Sequence, residues 1–540
     1  MNFLLINKQL FFLVMNKVYP LDILSIKDYG INNWFNHYSQ WPLPETEYMS
    51  LLEDINKLYI QTAMSASFEL KTVMITSYKI MFEYLQIFHS IIVLSRLLEN
   101  GMKPVCDKTN SYFYDLLNIK TIISGIYHDV LQPYLDFDVR KRILYLIKAQ
   151  YRNYKYFNKI KTNSHLPPFL AMAYPGNHLI NYATSHDRNI KCISPIPLLS
   201  QNYNQKNAIE TKIIVNTIVS GLESIAVKFN VYLDSYHISY LQNTTNVLFQ
   251  KVWHNIYLMK KVLKKYDSTS ILVKGLGNLL IRCFCSAGSL ENHKIVSITH
   301  GNNIAMFKLN NWAINDLAMV DEYVIPNKKS LGQFIRYRDY HPISCERKTI
   351  IKPYESNYVS NIWNKYNKMS LPTKIKNVMF LEWPMKEQRS MNTMGFWHYQ
   401  LILTLRIGLL LRKQKVQSII KRHPDRLLES QGLYNDYYDV IIDDPFESIC
   451  EMADLYIIPN IQSTVFGFAM LTNRPIICFE SMLQNVWDNM RELLEKRCII
   501  IPSWFDSQTG EFLFDDNSFQ KALQRKPEKP NTEFVEKYML

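Results

Sequence analysis

The sequence predicts an α/β protein with two Rossmann-like domains facing a cleft, preceded by an α-rich N-terminal extension. Two separate runs of the chain, divided by a proline-containing stretch, alternate short apolar segments with helical patterns. The apolar segments are continuous rather than alternating, which is typical of strands buried on both faces of a parallel sheet. With 540 residues, 47% of them hydrophobic, the chain is long enough for two packed domains.

Composition and charge narrow the classes of partner. Lys and Arg number 61 and Asp and Glu 48, so the net charge is +13, and it is spread along the chain. We expect an anionic small molecule or membrane surface as partner and no nucleic acid, because no nucleic-acid motif accompanies the charge. The 8 cysteines are too sparse for a disulfide framework, which favours a reduced, cytoplasmic protein. Apolar stretches at 3–15 and 80–98 are too short or too polar to span a bilayer, so any membrane contact is expected to be peripheral.

The first half of the chain begins with helical patterns and continues with the first alternating run. Apolar residues at three-to-four spacing predict helices between about 47 and 100, within an N-terminal extension of 1–100. A first Rossmann-like domain at 101–345 contains predicted helices at 208–228, 242–265 and 330–335 and predicted strands at 230–233, 271–274, 294–299 and 322–326. Gly275 and Gly277 follow a strand, but Leu280 replaces the third glycine of a dinucleotide fingerprint, so we predict only a tight turn.

The second alternating run is the clearer one and follows a predicted linker at 346–376. Strands are predicted at 377–382, 417–421, 439–442, 455–458 and 475–478, and helices at 394–412, 446–452, 463–471 and 482–496. They define a second Rossmann-like domain at 377–510, followed by a C-terminal tail at 511–540.

Polar residues gather where the strands of this second run end. They are Glu382, the run Lys421, Arg422, His423 and Pro424, then Asp443 and Asp444, and finally Ser463 and Thr464, which open a helix. Ligands of parallel sheets bind beyond the carboxyl ends of the strands, and a helix N-terminus attracts phosphate. Each residue also has an ordinary structural interpretation, Ser463 as an N-cap and His423 with Pro424 as a turn, but their spacing together favours a phosphate site.

A family resemblance enters with the run from Lys421 to Glu480. Its Lys-Arg-His-Pro, the Asp444-Pro-Phe-Glu447 segment, the Ser463-Thr464 pair and Arg474-Pro-Ile-Ile-Cys-Phe-Glu480 resemble the nucleotide-binding half of GT-B glycosyltransferases of bacterial surface polysaccharides. The run is similar to that of sialyltransferases and capsule Kdo transferases, which use CMP-sugars, and to that of teichoic-acid glycerophosphotransferases, which use CDP-glycerol. The match covers about 60 residues, and Thr299-His300-Gly301 adds a weaker likeness in the first domain.

The resemblance implies roles for individual residues. Lys421, Arg422, His423 and Pro424 with Ser463 and Thr464 would bind the nucleotide, and Glu480 would touch its ribose. The acidic triplet of sialyltransferases does not occur here, so the base from the acceptor-side first domain is His300 or, by position, Asp234. Glu382 is a further acidic candidate that contacts acceptor or donor sugar, or else forms a structural salt bridge.

Neither a metal nor a cofactor is expected. Asp443 and Asp444 are adjacent and so lack the Asp-x-Asp spacing of a metal site, and capping of the next helix is the stronger interpretation. The leaving-group charge would then be stabilised by His423, by Lys421 or Arg422, and by the helix that Ser463 opens.

The function that these expectations describe is a metal-independent GT-B glycosyltransferase, cytoplasmic or peripheral to the inner face of the membrane. It would move a sialic-acid-like or Kdo-like sugar from a CMP-activated donor to a glycan or lipid-linked acceptor in capsule or lipopolysaccharide synthesis. Two alternatives stay open: a CDP-glycerol-type polyol phosphotransferase, and a non-catalytic nucleotide-binding member of a polysaccharide assembly complex. The resemblance also implies a C-terminal helix at 532–540 that returns to the first domain.

Overall fold

Two six-stranded sheets, each entirely parallel, organise the computed structural model of this protein. The structure describes residues 18–38, 40–108, 111–118, 166–172, 176–193, 208–267, 269–299, 304–308, 310–340, 349–354, 357–383, 397–424, 427–507 and 509–540. The chain divides into two compact units. The first-sheet unit comprises Asp54–Glu83 and Ser124–Ser356, and the second-sheet unit comprises Met1–Glu53, Tyr84–Ile123 and Asn357–Leu540.

The N-terminal region is rich in helix, as the sequence predicts. A short parallel pair, β1 (Val18–Pro20) and β2 (Lys103–Val105), encloses a series of helices. They are α1 (Ile23–Tyr29), α2 (Ile31–His37), α3 (Glu45–Ser65), α4 (Phe68–Thr76) and α5 (Ile80–Glu99), and α6 (Ser111–Asn118) follows β2. Both α3 and α5 contribute residues to both units, so the predicted N-terminal extension does not form a unit of its own.

The first sheet has the strand order β4-β3-β5-β6-β7-β8. Its strands are β3 (Phe169–Met172), β4 (Ile190–Ile193), β5 (Ser270–Lys274), β6 (Lys294–Ile298), β7 (Glu322–Ile325) and β8 (Ile350–Pro353). The helices of this part of the chain are α7 (Gly176–Ser185), α8 (Lys212–Lys228), α9 (Ser235–Leu263), α10 (Leu279–Leu290), α11 (Asn310–Leu317) and α12 (Leu331–Asp339). Buried Leu272, Val296 and Val324 belong to one hydrophobic cluster, which explains why these strands are continuous apolar runs.

The second sheet has the order β11-β10-β9-β12-β13-β14. Its strands are β9 (Asn377–Leu381), β10 (Gln417–Lys421), β11 (Val440–Ile442), β12 (Leu455–Ile457), β13 (Ile476–Phe479) and β14 (Ile499–Ile501). The accompanying helices are α13 (Asn357–Tyr366), α14 (Trp397–Lys413), α15 (Phe446–Ile449), α16 (Thr464–Met470) and α17 (Asp488–Arg497). Numbered within the sheet, the order is third, second, first, fourth, fifth, sixth, which is the order of the doubly wound nucleotide-binding fold.

The C-terminal residues complete the second-sheet unit. An antiparallel pair, β15 (Ser503–Phe505) and β16 (Phe512–Phe514), precedes helices α18 (Asp516–Gln524) and α19 (Glu533–Tyr538). The C-terminal helix is present, but it packs on α17 of the second-sheet unit, where Asn489 donates a hydrogen bond to the Tyr538 hydroxyl at 2.9 Å. The expected return of this helix to the first domain stays a prediction.

The fold class is confirmed as α/β with two Rossmann-like parallel sheets and helical N-terminal residues, but two local predictions differ from the structure. Residues 230–233 form no strand, because Asn230 is left-handed (φ 54°) and the Val231 N–H bonds to the Ala226 carbonyl at 2.8 Å, which ends α8. Residues 350–353, inside the predicted linker, form β8 at the edge of the first sheet, where a short apolar pair precedes Pro353.

Helix α5 is long and apolar enough to span a membrane by composition, with a mean hydropathy of 1.3. However, 78% of its apolar window is buried inside the protein. Within the second-sheet unit its His89 ring stacks on Trp41 at 5.8 Å, and Trp41 contacts Trp397 of α14 at 5.5 Å. These contacts are typical of a core helix rather than one that faces lipid.

Candidate functional site

The strand order of the second sheet reverses between β9 and β12, and this is where parallel sheets of this order bind their ligands. Leu381 of β9 lies opposite Lys421 of β10, which lies opposite Ile442 of β11, so these three strands end at one level. The ladder continues beyond the strands, because the Glu382 N–H donates to the Lys421 carbonyl at 3.0 Å and the Arg422 N–H to the Ile442 carbonyl at 2.8 Å. The residues that follow these strands therefore share one edge.

Glu382 is buried at this edge, with only 8% of its surface exposed. One carboxylate oxygen, Oε2, accepts a hydrogen bond from the main-chain N–H of His423 at 2.7 Å, and Oε1 accepts one from the Tyr434 hydroxyl. Burial raises the pKa of Glu382 to about 7, although these two hydrogen bonds and the charges of Arg422 and Lys421 oppose the shift. Both oxygens thus have protein partners, so the carboxyl group holds the His423 backbone in place.

Arg422 and Asp443 form a paired unit at the ends of β10 and β11. The guanidinium binds the carboxylate with two bonds, Nε to Oδ1 at 2.8 Å and Nη2 to Oδ2 at 2.7 Å. The Arg422 guanidinium lowers the pKa of Asp443, and the Asp443 carboxylate raises the pKa of Arg422. Asp443 is therefore an ion-pair partner in this structure rather than a helix cap, a correction to the capping interpretation.

Lys421 is buried immediately beside this pair. Its Nζ donates to the Arg422 carbonyl at 2.6 Å, and burial lowers its pKa, while Glu382 and three other carboxylates raise it. An ammonium in such surroundings is a ready counter-charge for an anion. His423 is half-buried next to it and Pro424 is exposed, so the four predicted residues from Lys421 to Pro424 lie together at the edge.

Ser463 is the N-cap of α16, on the other side of the strand reversal. Its Oγ accepts a hydrogen bond from the Phe466 N–H at 3.1 Å, and Thr464 beside it is exposed. Asn460, 2% exposed, follows β12 and accepts from the Gln462 N–H at 2.9 Å, while its Nδ2 has no hydrogen-bond partner among the described residues. The indole Nε1 of Trp383, after β9, is likewise buried without a partner there. Two donors are thus left open next to the reversal.

Glu480 follows β13, two strands away from β9 in the sheet. Its Oε1 binds Arg491 of α17 at 3.1 Å, so its carboxylate already has a cationic partner within the protein. The structure brings Glu382, Lys421, Arg422 and His423 into one hydrogen-bonded group, whereas the partner of the Glu480 carboxylate is Arg491. A ribose contact by Glu480 stays a prediction.

Of the two candidate bases, His300 lies outside the described residues, as does Gly301, whereas Asp234 belongs to the first-sheet unit. Asp234 is the N-cap of α9, where Oδ1 accepts from the N–H groups of Tyr236 at 3.0 Å and His237 at 2.9 Å. These hydrogen bonds and the His237 ring, at 2.8 Å, lower the pKa of Asp234, which makes its carboxylate a weak base.

The carboxyl end of the first sheet carries a tight turn, as predicted. Gly275, after β5, has a φ of 70°, a conformation that favours glycine. Two cations hold the turn: Lys79 Nζ donates to the Gly277 carbonyl at 2.5 Å, and buried Arg282 donates to the Leu276 carbonyl at 3.4 Å. Arg282 also donates to the carbonyls of Thr76 and Ile75, at the end of α4.

Sequence reasoning missed Tyr434, the hydroxyl partner of Glu382. It lies in the turns between β10 and β11, where the sequence has neither the strand nor the helix periodicity. Four of the residues from 434 to 438 are aromatic or acidic, so nothing in the local sequence distinguishes Tyr434 from its neighbours. No group of three or more His, Cys, Asp or Glu side chains suited to a metal occurs in the described ranges. The expectation of a metal-free site stays a prediction.

Comparisons with known proteins identify no family for this chain. No family model matches the chain, and no curated protein matches it either. Among solved structures, a crystal structure of UDP-N-acetylglucosamine 2-epimerase is similar with a TM-score of 0.31 and 9% sequence identity, over 66% of this chain and 86% of that chain. A likeness this distant carries no argument about the activity of this chain.

Proposed function

We propose that this protein is a glycosyltransferase whose second-sheet unit binds the nucleotide of a CMP-activated sugar donor. The observation that supports it best is the Glu382-anchored His423 backbone, with Lys421 and Arg422 beside it, where the order of a doubly wound sheet reverses. Nucleotides bind at this point in sheets of this order. The identity of the nucleotide and sugar rests on the resemblance of residues 421–480 to bacterial CMP-sugar transferases.

In the proposed reaction the acceptor hydroxyl attacks the anomeric carbon of the donor sugar, and the bond from that carbon to the CMP phosphate oxygen breaks. The hydroxyl proton passes to a base, for which we propose His300, since the Asp234 carboxylate already accepts several hydrogen bonds. CMP leaves with the bonding electron pair. Lys421, the His423 side chain and the Ser463 hydroxyl are proposed to stabilise its phosphate charge.

The acceptor is proposed to be a glycan or lipid-linked glycan of the bacterial surface, and the protein is proposed to work in the cytoplasm or at the inner face of the membrane. The burial of α5 supports peripheral rather than spanning contact. No metal and no cofactor are required in this proposal, because protein cations supply the counter-charge.

The test is thermal unfolding of the full chain with CMP, CDP, UMP, UDP, GDP and ADP. A ligand that binds only the folded state at about ten times its dissociation constant adds about 1.4 kcal/mol to the free energy of unfolding. We expect stabilisation by CMP in the parent and in His37→Ala, an exposed histidine of the same unit, and its loss in His423→Ala. A preference for CDP would favour the polyol phosphotransferase, and UDP or GDP would exclude a cytidine donor.

Two further outcomes separate binding from catalysis. CMP binding without transfer from CMP-sugars to any glycan acceptor would favour the non-catalytic alternative. No stabilisation by any of the six nucleotides would refute the proposal for the second-sheet unit.

A further inference from the structure

A groove of about 990 Å³ lies within the second-sheet unit, beside its edge strand β14. Residues 497–502, which contain the whole of β14, line it, and so do residues 525–531, between α18 and α19. The lining also includes Lys496 of α17 and Ser518 and Lys521 of α18. The groove therefore runs along a sheet edge, and the irregular segment between α18 and α19 also lines it.

The edge presents one main-chain N–H and C=O to the groove. The Ile477 carbonyl accepts from the Ile458 N–H at 3.0 Å, so the peptide groups of Ile477 point to β12 and those of its neighbour Cys478 point to β14. Cys478 lies opposite Ile500, and a parallel ladder joins it to the residues on either side, Ile499 and Ile501. The N–H and C=O of Ile500 then face outward, and no strand of the described residues pairs with them.

The groove is also positively charged. Lys521, Arg525, Lys526 and Lys529 are exposed along it, and among the described residues no ion pair uses the last three. Two of its carboxylates, Glu480 and Glu495, both bind Arg491, and Glu528 is the remaining acidic residue of the lining. An occupant is favoured when it carries negative charge.

We propose that this groove binds an acidic peptide in an extended conformation, which adds to the second sheet as a strand beside β14. Strand addition uses main-chain hydrogen bonds for affinity and side-chain positions for specificity. The outward Ile500 peptide groups supply the hydrogen bonds, and the cations of residues 521–529 meet carboxylates on the added strand. Covering a sheet edge in this way also removes a template for aggregation.

This inference goes beyond the proposed function and does not depend on it. The groove follows the length of β14, the outermost strand, whereas the proposed nucleotide site lies where β9 and β12 adjoin, two strands away. Glu480 is the one residue that both lines the groove and belongs to the predicted nucleotide-binding residues. A competition experiment with CMP therefore separates the two sites.

The probe is a fluorescein-labelled octapeptide of alternating Glu and Val, titrated with the full chain and followed by fluorescence anisotropy. We expect saturable binding to the parent, and an octapeptide of alternating Lys and Val should bind at least roughly tenfold more weakly, because it meets the cations with like charge. Methylating alternate main-chain nitrogens of the acidic octapeptide removes the N–H donors along one edge of the peptide strand. There are two such methylated registers, one for each edge, and one of the two should also bind roughly tenfold more weakly. Equal binding of both methylated registers and the unmodified peptide would exclude strand addition.

Variants of the protein test the same contacts. Ile500→Pro removes the outward N–H and leaves the bonds of Ile499 and Ile501, since edge strands tolerate proline where the N–H faces away from the ladder. We expect it to weaken binding by roughly tenfold relative to Ile500→Val, which keeps the donor. The double variant Lys526→Glu with Lys529→Glu should weaken binding at least as much, while exposed Lys413→Glu in the same unit should not. Circular dichroism and thermal unfolding check that each variant folds.

Three further results would overturn the inference. They are no binding of the acidic octapeptide by the parent up to about 1 mM, equal affinity of the charge-reversed variant and the parent, and displacement of the peptide by CMP. The last result would assign the groove to the nucleotide instead. Failure of CMP to bind at all would refute the proposed function and leave the peptide result intact.

Discussion

At the carboxyl end of the first sheet buried Arg282 holds main-chain carbonyls, whereas at the carboxyl end of the second sheet buried Glu382 holds a main-chain N–H. Arg282 donates to the carbonyls of Thr76, Ile75 and Leu276, and Glu382 accepts from the N–H of His423. Burial lowers the pKa of Arg282 to about 10 and raises the pKa of Glu382 to about 7. The first group stays charged at neutral pH, and the second changes its charge there.

The two buried groups therefore differ in how the loops that they hold should respond to pH. Each charge orders a loop after a strand, and each is matched to the main-chain groups that the loop presents. At the second-sheet edge, which carries the proposed phosphate residues, the group that holds the loop itself titrates near neutrality. In the first-sheet unit a raised pKa, also about 7, belongs to Asp316 of α11, near Arg282 but not among the groups that hold the turn. Four sets of substitutions test this contrast between the two sheets.

The largest effect is expected for Arg282→Ala. It removes a fully buried cation and a donor to three carbonyls, those of Ile75, Thr76 and Leu276, so we expect a loss of roughly 3–5 kcal/mol in the free energy of unfolding. Urea unfolding of the full chain measures it. Arg282→Lys keeps the charge with fewer donors and should lie between the variant and the parent. A loss under about 1 kcal/mol for Arg282→Ala would show that these bonds do not order the turn.

The next largest effect is a pH dependence at Glu382. Its pKa is raised on folding, so the folded chain binds this proton more tightly than the unfolded chain does. Glu382 should cost the parent up to about 3 kcal/mol of stability as the pH rises from about 5 to about 8. Glu382→Gln should lose correspondingly less, since Asp316, whose pKa is also raised to about 7, titrates in both proteins. Thermal unfolding of both proteins across this range measures the difference, which grows in favour of the Gln variant as the pH rises. Exposed Glu492→Gln is the control, and the same pH profile for Glu382→Gln and the parent would contradict the assignment.

A smaller effect separates the partners of Glu382. Tyr434→Phe removes a hydrogen bond to the carboxylate, which we expect to cost about 1–2 kcal/mol and to raise the pKa of Glu382 further. The midpoint of the pH profile should move upward. Tyr438→Phe removes a buried hydroxyl that donates to the Thr404 carbonyl at 2.7 Å, so it should cost stability without moving the midpoint. A shift of the midpoint in both variants would point to a general loosening of this region.

The sequence predicted the sheets better than it predicted the contacts at their edges. Continuous apolar runs identify buried strands, and β10, the strand before the His-Pro pair, has the predicted bounds of 417–421. The sequence predicts no strand in the run from Cys498 to Ile501, which follows a predicted helix. The last three residues of this run nevertheless form β14. Residues 230–233 have strand composition but join two helices, because the left-handed Asn230 and the Val231 N–H end α8.

At the site, the sequence placed Glu382 and residues 421–424 at neighbouring strand ends, and the sheet register brings them together. It could not assign the role of Glu382, because that role depends on a hydroxyl 52 residues away in an irregular segment. Nor could it show that Arg422 would bind Asp443, since the pairing follows from the adjacency of β10 and β11. Local pattern gives the strands and their ends, whereas long-range register decides which side chains meet.

The smallest expected effect compares two N-caps, Ser463 of α16 in the second-sheet unit and Asn278 of α10 in the first-sheet unit. Ser463 accepts from the Phe466 N–H at 3.1 Å, and Asn278 accepts from the Leu280 N–H at 2.9 Å. Replacing either residue with Ala should cost about 1 kcal/mol in thermal unfolding, because each loses one cap. If the Ser463 hydroxyl also stabilises phosphate, only Ser463→Ala should weaken CMP binding in a direct titration. Equal CMP affinity in both variants and the parent would limit Ser463 to its capping role, and the phosphate would then depend on Lys421 and His423.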